Sequence, residues 1–104
     1  MTFEWFFTEQ DLEKATASTV EDDIFGTVYT VNGKEKYITD IHKEYYNSGD
    51  NRFDLEVYVE HDDGSHGKWL GSIKDIKTSK SLKRFKNRAE KLLDSFIAEF
   101  DSAV

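Results

Sequence analysis

From Phe53 to Glu60, apolar and polar side chains alternate without a break. Phe53, Leu55, Val57 and Val59 fall on one side of an extended chain; Asp54, Glu56, Tyr58 and Glu60 fall on the other. A period of two belongs to a β-strand with one face on a core and one face in water. The pattern predicts a strand over Arg52 to His61 and obliges the chain to build a sheet around it.

The neighbouring segments supply that sheet. Ile24 to Val31 is rich in β-branched and aromatic residues, and Asn32-Gly33 follows, the favoured pair for a two-residue hairpin turn. A return strand is expected from Lys34 to about Tyr46. This turn sets Val31 opposite Lys34, Val28 opposite Tyr37 and Ile24 opposite Ile41. Asn47 to Asn51 reads as a loop and Asp62 to Gly67 as a turn. Lys68 to Ile76 is a fourth strand, weakened by Gly71.

Two helices flank these strands. Thr8 is an N-cap, with Asp11 three residues on completing a weak capping box, so a short helix is expected from about Glu9 to Thr16. A long helix is expected from about Lys80 to Phe100, capped by Ser79 or Thr78. Its stripe of Leu82, Phe85, Ala89, Leu92, Phe96 and Phe100, widened by Leu93 and Ile97, suits a helix laid on a sheet. The expected architecture is α+β: an antiparallel meander of about four strands, covered on one face by the C-terminal helix. The aromatic segment Phe3, Trp5, Phe6 and Phe7 and the short helix close an edge or end. Residues 1–104 make one such domain, since 104 residues leave no room for a second core.

Composition narrows the chemistry. There is no cysteine, which excludes disulfides, thiolate nucleophiles and cysteine-ligated metal sites. Eight Phe, five Tyr and two Trp are too many aromatics for a disordered acidic chain. No apolar run is long enough to span a bilayer and no signal-peptide pattern opens the chain, so a soluble cytoplasmic protein without membrane contact is expected. No nucleophile elbow or phosphate-binding glycine loop is present. Paired acids at Glu21-Asp22-Asp23 and Asp62-Asp63 are what chance gives in so acidic a chain. His61, Asp63 and His66 could chelate a metal, but their spacing matches no zinc or calcium site, and Asp and Gly are what a hairpin tip requires. His42 is expected to be exposed. A non-catalytic protein without cofactor or metal is therefore expected, and no family motif can be pointed to residue by residue.

The charge is segregated. The chain carries −7 in total. Residues 1–73 hold six basic and sixteen acidic residues, residues 74–91 hold eight basic and two acidic, and residues 92–104 hold three acids and no base. The basic stretch enters the long helix at its N-terminal end, where cations are disfavoured by the helix dipole, and the acids sit toward its C-terminal end.

Two surfaces therefore compete for a function. The first is acidic: Asp54, Glu56, Tyr58 and Glu60 on a strand face, joined by Asp62 and Asp63 at the hairpin tip and by Asp40 from the neighbouring strand. It suits a protein partner with a basic surface, such as a nuclease or another nucleic-acid-binding protein. The expected role is that of a small acidic inhibitor or regulator, as phages and mobile elements encode: an anti-CRISPR-like protein or a mimic of nucleic acid, acting as monomer or homodimer. The second surface is basic: Lys80, Arg84, Asn87, Arg88 and Lys91 share the outer helix face, and a DNA- or RNA-binding module would use Lys80, Lys83, Arg84, Arg88 and Lys91 to track phosphates.

Overall fold

A computed structural model describes residues 2–17, 23–45, 51–77 and 81–102. Five strands and two helices follow in the order β1 (Thr2–Trp5), α1 (Glu9–Ala17), β2 (Asp23–Asn32), β3 (Glu35–Tyr45), β4 (Asn51–Glu60), β5 (His66–Lys77) and α2 (Leu82–Ser102). The strands form one antiparallel sheet in the order β1-β2-β3-β4-β5, with every neighbour in space a neighbour in sequence. The α+β meander expected from the sequence is present, with five strands rather than about four. The additional strand is β1. Half of the N-terminal aromatic segment pairs with β2 from Thr2↔Val31 to Trp5↔Val28.

The strand alternation sorts that segment. Phe3 and Trp5 pack on the core, Phe7 is buried, and Phe6 points the other way into solvent. The β2–β3 hairpin forms, but its register differs by two residues from the expected one. Asn32 pairs with Glu35, so Gly33-Lys34 makes the turn, and Val31 faces Lys36 rather than Lys34. Gly33, at φ 62°, supplies the positive dihedral that the tight turn needs. A shift of two keeps every side chain on its expected face. A bulge at Phe25 then moves Ile24 opposite His42 rather than Ile41.

The core lies between one sheet face and both helices. Phe85 of α2 sits at its centre, with ring centroids 5.3 Å from Phe53, 5.9 Å from Phe7, 6.2 Å from Phe25 and 6.3 Å from Trp5. The pairs with Phe53, Phe7 and Trp5 are edge-on, and such pairs add about 0.5–1.5 kcal/mol each beyond their buried area. On α2 the fully buried residues are Phe85, Ala89, Leu93 and Ile97, whereas Leu92 and Phe100 are partly exposed. The contact line thus runs at steps of four, slightly rotated from the expected stripe. Ser81 caps the helix: its Oγ accepts from the Arg84 N–H at 3.4 Å and its carbonyl from the Phe85 N–H at 3.0 Å. Thr78, Ser79 and Lys80 lie outside the described residues.

Among the described residues no helix is long and apolar enough to cross a membrane. The helices cover only one face of the sheet. The other is open, and it carries most of the residues singled out above.

Candidate interaction face

The open face is set by register. Asp40 of β3 stands directly opposite Glu56 of β4, and Glu56 opposite Ser72 of β5. In the next row Tyr29, Ile38, Tyr58 and Trp69 align across β2 to β5. Strands lie about 4.8 Å apart, so each row is a ladder of touching side chains. Phe6 extends the aromatic row, its ring 5.1 Å from that of Tyr29 at an edge-on angle.

Among the described residues six large apolar side chains are exposed, and four of them, Phe6, Ile24, Val31 and Trp69, are on this face. Trp69 is 56% exposed and Phe6 55%. Exposed apolar side chains and carboxylates thus share one face of the sheet.

Directly opposed like charges are destabilising in a sheet. Asp40 and Glu56 are such a pair, and each is held by donors. Glu56 Oε2 accepts from Trp69 Nε1 at 2.7 Å and from Ser72 Oγ at 2.6 Å. Asp40 Oδ2 lies 2.8 Å from His66 Nε2, and Thr27 Oγ1 approaches Oδ1 at 3.5 Å. The His66 ring stands edge-on to Tyr58, 4.7 Å between centroids. Burial, then the charges of Glu56 and Asp40, push the Tyr58 hydroxyl above the usual tyrosine range.

β5 reaches this geometry through bulges. Its pairing with β4 shifts register three times, between Phe53 and Leu55, between Val57 and Tyr58, and between Tyr58 and Glu60. The middle bulge allows Gly71 to face the core opposite Val57 while Trp69, two residues earlier, stands on the open face opposite Tyr58. Gly71 has φ 148°, and a Cβ there would lie 3.0 Å from Phe96 Cζ. Glycine is what allows the strand to turn over at this point.

The acidic residues expected to act together divide. Glu56, Tyr58 and Glu60 are half-buried on the open face, as the alternation requires. Asp54 does not stand in water with them: it is 2% exposed, with Oδ2 3.6 Å from Lys74 Nζ. Its row on the open face pairs it with His42 of β3, and its burial sets it apart from Glu56 and Glu60. Asp62 and Asp63 are exposed in the β4–β5 turn. There Asp63 Oδ1 accepts from the Ser65 N–H at 3.0 Å and the Ser65 Oγ at 2.6 Å, bonds that hold its carboxyl below the usual range. Asp63 is thus a turn former. His66 has turned onto Asp40, and the described residues include no cluster of three or more His, Asp or Glu able to hold a metal ion. The His61, Asp63 and His66 triplet is not brought together as a site. His42 is half-buried rather than exposed.

The basic residues lie on the opposite side of the molecule. Lys83, Arg84, Arg88 and Lys91 are exposed on the outer face of α2, and Lys80 lies outside the described residues. Lys86 is drawn over the Trp5 ring, 5.8 Å from its centroid, and Trp5 Nε1 donates to Glu90 Oε1 at 2.7 Å. Beside this contact Phe3, Asn87, Glu90, Lys91 and Asp94 line a shallow depression of about 360 Å3. Glu90 and Asp94 place two carboxylates beside Lys91 in it.

Phe6, His66, Trp69 and Ser72 were not legible as members of one surface. Phe6 had a signal, being out of phase with Trp5 and Phe7; the other three depend on where β5 bulges. The chain matches no protein-family model, no curated protein and no solved structure.

Proposed function

We propose that this is a non-catalytic binding protein that uses the open sheet face, through Asp40, Glu56, Tyr58, Glu60 and Trp69, to engage a protein with a basic surface. The partner class is a nucleic-acid-handling protein, and the effect of binding is inhibition or regulation. The observation that carries this reading is the opposed pair Asp40 and Glu56, placed on an open face beside exposed aromatics. A sheet optimised for stability alone would alternate the signs of facing residues. This face instead sets two carboxylates opposite each other, with Ile38, Tyr58 and Trp69 in the adjacent row. Complementary charge of this kind speeds encounter with a basic cleft, while aromatic residues supply contact energy.

The test is affinity capture with the whole chain as bait, compared with the double variant Glu56→Lys, Glu60→Lys. The expected result is recovery of a basic nucleic-acid-binding protein by the native chain and its loss with the variant, whose circular dichroism is unchanged. Equal recovery by both would remove the open face from consideration. A nucleic-acid titration at low salt with native protein provides the contrast: steep, salt-sensitive binding would favour the outer face of α2 instead.

A further inference from the structure

Trp5 and Trp69 are the two tryptophans of the chain, and they share half of an arrangement. At Trp5 the indole N–H donates to Glu90 at 2.7 Å and the Lys86 ammonium lies over the ring. The carboxylate fixes the ring from its edge, and the cation sits on the electron-rich face that the fixed ring presents. At Trp69 the indole N–H donates to Glu56, again at 2.7 Å, and the ring is 56% exposed. Among the described residues no lysine or arginine lies over it. Ser72 donates to the same Glu56 oxygen, which fixes the carboxylate and through it the ring. Tyr58 stands opposite on β4, and Glu60 follows two residues along the same face.

We infer that Trp69 is the seat for an arginine side chain of the partner: a guanidinium stacks on the exposed indole face and meets the carboxylate of Glu56 at its rim. The inference rests on the proposed binding of a basic protein by this face and names the contact that anchors it. Arginine fits better than lysine because its guanidinium is planar, is weakly hydrated and forms hydrogen bonds at its edge while stacking on its face. The immobilised indole loses little side-chain freedom on binding, which favours its use as an anchor.

The experiment measures calorimetric binding of an arginine homopeptide and of a lysine homopeptide of equal length, at one fixed ionic strength. The proteins are the native chain, Trp69→Phe and Trp69→Ala. The native chain is expected to bind the arginine peptide more tightly than the lysine peptide. Trp69→Ala should lose about tenfold in arginine-peptide affinity, with Trp69→Phe between the two, as expected for a cation on an aromatic face. Because Trp69 is largely exposed, both variants should keep the native circular dichroism, and the phenylalanine variant carries the test if the alanine one does not fold. Equal affinity across the three proteins, or no preference for arginine, would overturn the inference while leaving charge-driven binding by the acidic face intact. Failure of both peptides to bind any of the proteins would count against the acidic-face reading itself. Sedimentation of the unliganded chain supplies the other outcome: a self-association abolished by Trp69→Ala would make a second copy the occupant and overturn the arginine assignment.

Discussion

The side-chain ammonium of Lys43, on the core face of β3, donates to the backbone carbonyl of Ala15 in the last turn of α1. It also reaches the Thr16 carbonyl at 3.1 Å. Lys43 is 1% exposed, and burial pulls its pKa below the usual lysine range. The last carbonyls of a helix lack intrahelical donors and carry its negative dipole end, so a cation here satisfies both demands. Lys43→Met keeps the alkyl stem and removes the donors. It should cost about 1–3 kcal/mol, the penalty for leaving buried carbonyls unpaired. The check is a lower Tm together with loss of hydrogen-exchange protection within Glu9–Ala17. The pH dependence has a definite sign. With the folded pKa below the unfolded one, the unfolded chain binds more protons in alkaline solution, so native stability relative to the variant grows as pH rises through that window.

Gly26 is held in contact with Phe7. A Cβ added at Gly26 would lie 2.4 Å from Phe7 Cδ1 and 2.8 Å from Cγ. The Phe7 ring cannot withdraw without losing its contacts with Trp5, Phe25 and Phe85. Gly26→Ala is therefore expected to destabilise by about 1–3 kcal/mol, the range for overpacking a close-packed core. Denaturant unfolding measures it, and a midpoint equal to that of the native chain would show that the ring has room to move.

Thr30 and Thr39 face the core, and both are fully buried; among the described residues their hydroxyls have no hydrogen-bond partner. Thr39→Val replaces the hydroxyl by a methyl group of nearly the same shape. Removing an unpaired buried polar group should stabilise the fold by about 1 kcal/mol. Thermal unfolding should show a raised Tm for Thr39→Val and likewise for Thr30→Val. A lowered Tm would mean that the hydroxyls are satisfied in solution.

At the start of α1, the Thr8 N–H donates to Asp11 Oδ2 at 2.8 Å and the Asp11 N–H to Thr8 Oγ1 at 3.3 Å. These reciprocal bonds are the capping box anticipated from sequence. The bond from the Thr8 backbone, followed by that from its hydroxyl, lowers the pKa of Asp11. A lowered folded pKa gives stability that is present above the unfolded value near pH 4 and lost as pH falls through the folded value. Asp11→Asn should accordingly have a lower Tm than the native chain at pH 7, and the two should converge in acid. A gap that does not narrow below about pH 4 would place the effect elsewhere.

The sequence disclosed what is periodic and local. β4, the capping box, the hairpin and the α2 stripe each follow from a repeat or a pair of neighbours. Asp54 could not be separated from Glu56 and Glu60 by alternation, because all three occupy equivalent positions on β4. The burial of Asp54, with Lys74 of β5 3.6 Å from its carboxylate, is a long-range matter. Trp69 likewise sits on a strand whose three bulges break the period of two, so no count along the chain gives its face. β1 was obscured because four aromatic residues in a five-residue segment hide their alternation until β2 supplies the register.

The bulges that deliver Trp69 to the open face have a second effect, at the boundary of the sheet. β5 is one of its two edges, and an edge presents unpaired backbone donors and acceptors that another chain can use as a template. Three register shifts break that row at intervals, and the opposite edge, β1, is only four residues long. A straight edge beside so apolar a face would invite strand-by-strand polymerisation. An interrupted β5 and a four-residue β1 leave another chain less continuous edge to extend beside the exposed Phe6, Val31 and Trp69.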